Sequence, residues 1–551
     1  MMPPPRQQEQ TSLIGLLVIT ALFGWAAWKS LAFQAAFPFI PYIIGLFALL
    51  LGARAFSLLL LRLYNFLLRR EAMRATTQKG SASWASVKDI KRAGLYETPG
   101  LFLGCDTRGC PIFFDGEIHG LTLAPAGSGK TIAFSVPAFC HSPLPIIVSD
   151  FKGTLSVMTK AVREKHHKQE TFCVNPAHLY TEHLGIPARY NPVQILLDDW
   201  MNTERNKDLI ADAQSMALQL CPEPAGVGEN TFWRNGSRKI QVFALVYLIT
   251  HHGAEKAALS EALRLLRNVK DLIEAAKTAM DSSILNGELA DMAADLHYKL
   301  TAPDTRQVDS FLEGAVQALT AFSSSGWLAE STSACDFRFK DLKDHPATVY
   351  LIADPTKMKV FSPWLGLMGW AAITELTRCK NTKPVLFLLD EATNFRIENL
   401  SNSLTGLREF GIRVWFVIQE LEEYARVYGR EALETLLSQT EVKQVFGASG
   451  TRTCELISRM LGEQTVKAIN FNLGRTLNDP VTQSVGEHAR RILTPDEVRQ
   501  FADEIIFIRN LPPIHAVKTG YHEVKPWCDW VAANPLFGKK LKGKTRVWLK
   551  Y

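Results

Sequence analysis

A short glycine-bearing segment of the 551-residue chain has the spacing of a phosphate-binding loop. Residues 124–131 read APAGSGKT and follow a short apolar stretch, Leu121 to Ala124. In such a loop, glycines let successive backbone N–H groups point at phosphate oxygens, a lysine reaches the β and γ phosphates, and a hydroxyl ligates magnesium. The pattern predicts that ATP and Mg²⁺ are held by six consecutive residues: Ala126, Gly127, Ser128, Gly129, Lys130 and Thr131.

Two adjacent acids end a second apolar run far downstream. Residues 385–391 read VLFLLDE, which is typical of a buried parallel strand. At the carboxyl end of such a strand, we expect Asp390 to hold the magnesium shell and Glu391 to activate a water for attack on the γ phosphate. A further apolar strand, 414–418, ends at Gln419, which we predict to contact the γ phosphate or the attacking water.

An open α/β sheet is the architecture that would bring these groups together. Parallel strands carry their ligands at their carboxyl ends, and the segment 145–150, PIIVSD, is another apolar run that ends in an acid. After Lys130 the sequence is compatible with a helix as far as Pro137, which supplies the required order of strand, loop and helix. Between Asn191 and Pro346 the strand pattern lapses and apolar residues recur at helical spacing, which indicates a helical insertion.

The N-terminal end contains two uncharged segments, residues 11–28 and 30–53. A helix of 18 residues spans about 27 Å, close to the hydrocarbon thickness of a bilayer. Basic residues follow the second segment, and the positive-inside rule places that side, with the bulk of the chain, in the cytoplasm. These features predict a two-helix transmembrane hairpin, and a cleaved signal peptide is the alternative.

The net charge of +6 is concentrated at the N-terminal end. Residues 1–80 hold eight basic and two acidic side chains, which leaves 53 of each in residues 81–551. This balance excludes a general basic field for nucleic acid, so any contact with DNA or RNA would depend on a local patch. The last 21 residues carry six basic and no acidic side chains, a run that usually forms a solvated tail but can touch DNA or anionic lipid.

Nine scattered cysteines indicate free thiols in a reducing compartment. A zinc site on Cys105 and Cys110 would lack two further ligands nearby.

Several separate motifs, in one order over roughly residues 80–525, resemble the type IV secretion coupling proteins, the TraG-like conjugative ATPases with a RecA-like motor. The resemblance implies a homo-hexameric ring on the cytoplasmic face of a bacterial inner membrane, which hydrolyses ATP and delivers DNA–protein substrates to a secretion channel. The motifs are GSASWA (80–85) with AGL (93–95), the phosphate loop with the upstream His119, SDFKG (149–153), YNP (190–192), LLDEATNF (388–395), GIRVWFVIQELEEYARVYG (411–429) and RMLGEQTV (459–466).

The resemblance also implies roles for single residues. Lys130 and Thr131 match the Walker A positions, Asp390 and Glu391 match the Walker B pair, and Gln419 matches the motif that senses the nucleotide state.

Between the last two motifs lies Arg408, our candidate for an arginine that reaches the γ phosphate of a neighbouring subunit, with Arg413 in reserve. Thr154 stands where the family often has an acid, so the resemblance assigns no metal role to Asp150.

The predicted organisation has five parts. Residues 1–80 form the transmembrane hairpin and a basic juxtamembrane linker, 81–190 and 346–525 form the two parts of a RecA-like nucleotide-binding domain, 191–345 form an inserted all-α domain, and 526–551 form a basic C-terminal tail. The predicted function is a membrane-anchored hexameric ATPase that couples a relaxosome, the relaxase with its DNA, to a type IV secretion channel in conjugative transfer. Two alternatives stay open: a coupling ATPase or receptor for protein effectors, and a DNA pump independent of a secretion channel.

Overall fold

The computed structural model describes residues 5–31, 39–72, 77–97, 99–117, 119–223, 231–472 and 482–551. They divide into two compact units, one of Met1–Ser81 with Glu463–Arg490 and one of Ala82–Gly462 with Arg491–Tyr551. The strands are β1 Leu101–Asp106, β2 Pro111–Phe114, β3 His119–Leu123, β4 Ile146–Asp150, β5 Glu170–Val174, β6 Ala347–Ile352, β7 Val385–Leu389, β8 Ile412–Ile418, β9 Thr440–Val445, β10 Glu463–Asn472, β11 Thr482–Arg491, β12 Glu504–Ile508, β13 Ile514–Val517, β14 Val524–Lys525 and β15 Val547–Trp548.

The α-helices are α1 Pro5–Ser30, α2 Ile40–Ala72, α3 Val87–Arg92, α4 Val136–His141, α5 Thr154–His166, α6 Thr181–Leu184, α7 Gln194–Met201, α8 Leu209–Leu220, α9 Thr231–His252, α10 Leu259–Arg267, α11 Val269–Met280, α12 Glu288–Thr301, α13 Arg306–Leu319, α14 Trp327–Ser331, α15 Met358–Thr377, α16 Leu400–Leu407, α17 Leu421–Tyr428, α18 Arg430–Gln439, α19 Thr451–Leu461, α20 Pro495–Gln500 and α21 Trp527–Trp530.

The larger unit is built on an 11-stranded sheet in the order β2-β1-β13-β12-β9-β3-β8-β7-β4-β6-β5. The strands from β9 to β5 run parallel, and β12, β13, β1 and β2 extend the sheet in antiparallel fashion. The four predicted apolar runs are the four neighbouring central strands β3, β8, β7 and β4. Their carboxyl ends therefore share one edge of the sheet, as the sequence predicts.

Both faces of this sheet are covered by apolar side chains. One face packs with helices of the segment between β5 and β6 and with α15, in a core that includes Phe243 and Trp364. The other face packs against α4, α5 and α21, and there Phe134 stacks on Trp415 with ring centroids 4.9 Å apart. Burial on both sides explains why the parallel strands read as unbroken apolar runs rather than alternating ones.

Between β5 and β6 the described residues form helices and no strand, in the region where we predict a helical insertion. Leu263, Leu266 and Leu272 are buried as the helical spacing predicts, but Val269 is exposed. The reason is that the helix breaks at Asn268, whose side chain caps the start of α11, so that Val269 opens a new helix. These helices belong to the same compact unit as the sheet, and the domain bounds 191 and 345 stay a prediction.

The helix after the phosphate loop passes through Pro137 instead of ending there, contrary to the prediction. Thr131–Ser135 form one π-helical turn, in which the Val136 N–H donates to the Thr131 carbonyl five residues back. The regular helix α4 then begins at Val136, and Pro137 occupies its first turn. A proline is tolerated at that position because its missing N–H is not needed there.

The smaller unit contains α1, α2 and the two-stranded sheet β10–β11. α1 and α2 pack together, with the rings of Phe23 and Phe47 stacked at 6.4 Å. Among the described residues, one helix, Ile40–Tyr64, is long and apolar enough to cross a membrane, with a mean hydropathy of 2.2, and the apolar part of α1, Gly15–Ser30, is shorter. The turn predicted around Pro38 lies outside the described residues. The segment Glu463–Arg490 falls in this unit, although the sequence places it in the second part of the nucleotide-binding domain.

The predicted C-terminal tail is folded rather than free. β14 and β15 pair in parallel, with Val524 opposite Val547. The hydroxyl of the last residue, Tyr551, accepts a hydrogen bond from Trp527 Nε1 at 2.6 Å and is hydrogen-bonded to Nδ1 of His141 at 2.7 Å. Aromatic residues of this segment pack against the rest of the larger unit, a contact that the charge of the segment does not indicate.

Candidate nucleotide-binding site

The phosphate loop leaves β3 at the carboxyl edge of the parallel strands. Gly127 and Gly129 have φ angles of +78° and +91°, in the left-handed region that side chains with a Cβ rarely adopt. The conformation of the loop therefore requires glycine at both positions, although each has open space beside it. Within the described structure, the buried hydroxyl of Ser128 has no hydrogen-bond partner, so it is available to a bound group.

Lys130 lies against the acid pair that follows β7. Its Nζ is 2.9 Å from Oε1 of Glu391 and 3.7 Å from Oδ1 of Asp390. Gln419, at the end of the intervening strand β8, places its Nε2 3.4 Å from the same oxygen of Glu391. The structure thus brings together, from three adjacent strands, the lysine, the acid pair and the glutamine that the sequence singles out.

Asp390 has the environment of a cation ligand. Its side chain is 14% exposed, and its Oδ1 has no hydrogen-bond partner in the described part of the chain. Burial raises the pKa of Asp390 to about 6, opposed by the charge of Lys130 and reinforced by the carboxylate of Glu391. A divalent cation would compensate this buried oxygen, so Mg²⁺ fits Asp390 together with the hydroxyl of Thr131.

No group of three or more His, Cys, Asp or Glu side chains in the described ranges could hold a metal by itself. This agrees with the usual binding of Mg²⁺ by one or two protein ligands together with phosphates and water.

Glu391 is held in a fixed orientation. Its backbone adopts a left-handed conformation with φ of +53°, which is strained for a residue with a side chain. Its Oε2 accepts a hydrogen bond from Asn394 Nδ2 at 2.8 Å, while Oε1 faces Lys130 and Gln419. Asn394 belongs to the LLDEATNF motif, but no local pattern in the sequence assigns it this orienting role.

The two candidate arginines lie at the opposite edge of the sheet. Arg408 follows α16 and is exposed, and Arg413 is 3.7 Å from Oδ1 of Asp115. Both lie at the amino end of β8, whose length of about 20 Å separates them from Gln419. Neither arginine is therefore placed to reach a nucleotide held by its own chain.

His119 is hydrogen-bonded to the segments on either side of Arg408. Its Nδ1 accepts a hydrogen bond from the Val414 N–H at 3.0 Å, and its Nε2 donates to the Leu404 carbonyl at 2.7 Å. Burial lowers the pKa of His119, which keeps the ring neutral in this role. The histidine upstream of the phosphate loop thus joins β3 to α16 and β8 and does not contact the phosphate loop.

Asp150 acts as a helix cap. Its Oδ2 accepts from the backbone N–H and the hydroxyl of Ser156, both at 2.8 Å, and Oδ1 accepts from the Lys152 N–H at 3.2 Å. Both oxygens are engaged at the start of α5.

Glu420 was not singled out by the sequence. It follows Gln419 directly, and its carboxylate accepts hydrogen bonds from the Gly450 N–H at 3.2 Å and from the Thr453 hydroxyl. It therefore ties the end of β8 to the first turn of α19.

A phosphate loop at the carboxyl edge of a parallel sheet, with its lysine against an Asp–Glu pair, defines a P-loop nucleotide-binding protein of RecA-like fold. The sequence profile of the family "Type IV secretory system Conjugative DNA transfer" matches residues 83–542, and the chain belongs to that family.

Known relatives agree with this assignment. Two proteins of Escherichia coli, both described as conjugal transfer protein TraG, are 23% identical over 497 residues and 24% identical over 503 residues. Each alignment covers 80% of this chain and 76% of the relative. The family membership confirms the resemblance and the predicted class of function, conjugative DNA transfer through type IV secretion.

Solved structures show the same fold. The unbound bacterial conjugative coupling protein TrwB has a TM-score of 0.56 at 17% identity, covering 79% of this chain and 91% of that one. TrwB in complex with ADP and Mg²⁺ has a TM-score of 0.55 at 17% identity, covering 80% and 94%. The likeness confirms the α/β fold, and in one of these structures TrwB is bound to ADP and Mg²⁺.

Proposed function

We propose that the chain is a membrane-anchored ATPase that couples DNA and its bound relaxase to a type IV secretion channel. The observation that carries the proposal is the convergence of Lys130 on Glu391 and Asp390, at 2.9 and 3.7 Å, at the carboxyl edge of the sheet. Lysine, paired acids and a neighbouring glutamine are the groups that phosphoryl transfer to water requires, and membership of the conjugative DNA transfer family supplies the substrate class.

In this mechanism the protein positions and stabilises charge. The backbone around Gly127 and Gly129 and the Lys130 ammonium would bind the phosphates, and Asp390 and Thr131 would hold Mg²⁺, which would supply charge neutralisation at the phosphate oxygens. When Lys130 turns toward phosphate, Oε1 of Glu391 becomes free to accept a proton from water. Asn394 holds the other oxygen of Glu391, so the base keeps its orientation, and Gln419 orients the water.

We also propose a homo-hexamer with ATP bound between subunits. Arg408 is exposed, lies at the amino end of β8, whose length of about 20 Å separates it from Gln419 of its own chain, and is fixed through α16 by His119. An arginine at this edge would act only on a nucleotide bound by a neighbouring subunit, where it would stabilise the charge that develops on the γ phosphate.

The anchor that we propose consists of α1 and α2 and crosses the bacterial inner membrane twice. The support is the span Ile40–Tyr64, the apolar segment Gly15–Ser30 packed against it, and the basic residues after the span, which favour a cytoplasmic location for the rest of the chain. We further propose that the helical region 191–345 is an inserted all-α domain that contacts substrate.

The proposed function requires ATP turnover that depends on assembly. Full-length protein in lipid nanodiscs is expected to release phosphate from ATP in the presence of Mg²⁺, and faster when DNA is added. Arg408→Ala is expected to leave nucleotide affinity within about twofold and to lower assembly-dependent turnover by about 10³-fold, as for other arginines acting in trans.

Arg413→Ala tests the reserve candidate, which lies at the same edge 3.7 Å from Asp115, and Arg92→Ala, at an exposed arginine on α3, is the control. Full turnover by Arg408→Ala would exclude it as the arginine in trans. A wild-type chain that consumes no ATP with DNA and Mg²⁺ would reduce the proposal to a membrane-tethered docking protein.

A further inference from the structure

The C-terminal segment carries a local positive charge that the rest of the soluble chain lacks. Residues 531–551 hold six basic and no acidic side chains, whereas residues 81–530 hold 47 basic and 53 acidic ones. All six basic residues are exposed. A polyanion is therefore attracted to this segment, whereas residues 81–530 carry a net negative charge.

Parts of the backbone that carries these side chains are hydrogen-bonded to the rest of the larger unit. β15 pairs with β14, the Arg546 N–H donates to the Glu523 carbonyl at 2.8 Å, and the Tyr551 hydroxyl bonds to Trp527 and His141. Arg546 is also paired with Glu523, but for Lys539, Lys542, Lys544 and Lys550 the described residues provide no ion pair. These four lysines are thus free to bind phosphates, on a segment whose C-terminal end is held by β15 and Tyr551.

Two exposed aromatic rings belong to the same segment as these lysines. Phe537 and Trp548 are 74% and 73% exposed, and Nζ of Lys525 lies 5.3 Å from the centre of a Trp548 ring. Exposed rings beside basic side chains are the means by which proteins bind single-stranded nucleic acid without sequence preference, because bases stack on the rings while the phosphates contact the cations. Duplex bases are already stacked on one another and gain nothing from such rings.

We propose that the exposed side chains of residues 536–550, the C-terminal basic face, bind single-stranded DNA through its phosphates and by stacking of bases on Trp548 and Phe537. The proposal rests on the proposed function for DNA as the partner, but it does not involve the ATP site. A membrane surface is disfavoured, because the exposed apolar side chains lie on irregular backbone and form no amphipathic helix face that could enter a bilayer.

The test uses the full chain in nanodiscs of zwitterionic lipid and measures the fluorescence anisotropy of a labelled oligo(dT) of about 20 nucleotides over a range of salt. The double variant Lys542→Glu/Lys544→Glu is expected to bind at least tenfold more weakly, with a salt slope smaller by about 1.4, since each phosphate contact on a single strand contributes about 0.7. Trp548→Ala is expected to bind about tenfold more weakly with an unchanged slope, and Trp548→Phe to restore most of the affinity.

The matched control is Lys88→Glu/Lys380→Glu, which reverses two exposed lysines elsewhere in the larger unit. Unchanged oligo(dT) binding by the C-terminal double variant, or equal loss in the control, would overturn the proposal. So would a loss of binding to vesicles with anionic lipid while DNA binding persists. ATP turnover without DNA, measured on the same samples, reports separately on the proposed function.

Discussion

Replacing Lys130 with alanine is expected to eliminate ATP-dependent DNA transfer and to lower ATP hydrolysis by at least about 10²- to 10³-fold, the usual effect of removing one charge-stabilising group from a catalytic site. The ammonium group lies 2.9 Å from Glu391 and 3.7 Å from Asp390, so its loss also leaves two half-buried carboxylates without their cation. The pKa of Asp390, which burial already raises to about 6, should rise further and weaken Mg²⁺ binding near neutral pH. Transfer frequency from a donor strain and phosphate release by purified protein measure the two effects.

The matched control for Lys130→Ala is Lys88→Ala, an exposed lysine on α3. Both variants should reach the membrane fraction in wild-type amounts, because neither touches α1 or α2. Wild-type transfer by Lys130→Ala, expressed from the native locus, would remove the ATP-driven motor from the mechanism.

The nucleotide site follows from the sequence because its positions are set by local patterns. Each of the strands β3, β7 and β8 is a short apolar run, and each is followed by the residues to which we assign the chemistry. Once those strands lie side by side in parallel, Lys130, Glu391 and Gln419 must share an edge of the sheet. The exact pairing register of the strands is not needed to predict this.

What the sequence did not predict depends on partners far along the chain. The role of His119 comes from hydrogen bonds to Leu404 and Val414, nearly 300 residues away, and a buried histidine in a strand gives no local sign of them. The C-terminal tail was predicted as solvated from its charge, but the burial of Trp527 and the contact of Tyr551 with His141 outweigh the lysines. Pro137 was predicted to interrupt a helix, but a single π-helical turn shifts the hydrogen bonds so that it is tolerated.

Glu391→Gln is expected to separate binding from hydrolysis. The amide has nearly the same shape as the carboxylate, and its oxygen can still accept a hydrogen bond from Asn394 or Lys130, so the loop and the acid pair keep their geometry. It cannot accept a proton from water, and the loss of a general base costs about 10²- to 10⁴-fold in rate. The variant should therefore bind a fluorescent ATP analogue within a few-fold of wild type while its phosphate release becomes barely detectable.

The control for this variant is Glu434→Gln, an exposed position on α18 that should leave both measurements unchanged. Asn394→Ala separates orientation from proton acceptance, because it keeps the carboxylate but removes the donor that fixes Oε2 at 2.8 Å. It should hydrolyse ATP more slowly than wild type but faster than Glu391→Gln, since the base is present but less often aligned. Brisk phosphate release by Glu391→Gln would exclude Glu391 as the base, and the orienting contact with Asn394 would then have no catalytic purpose.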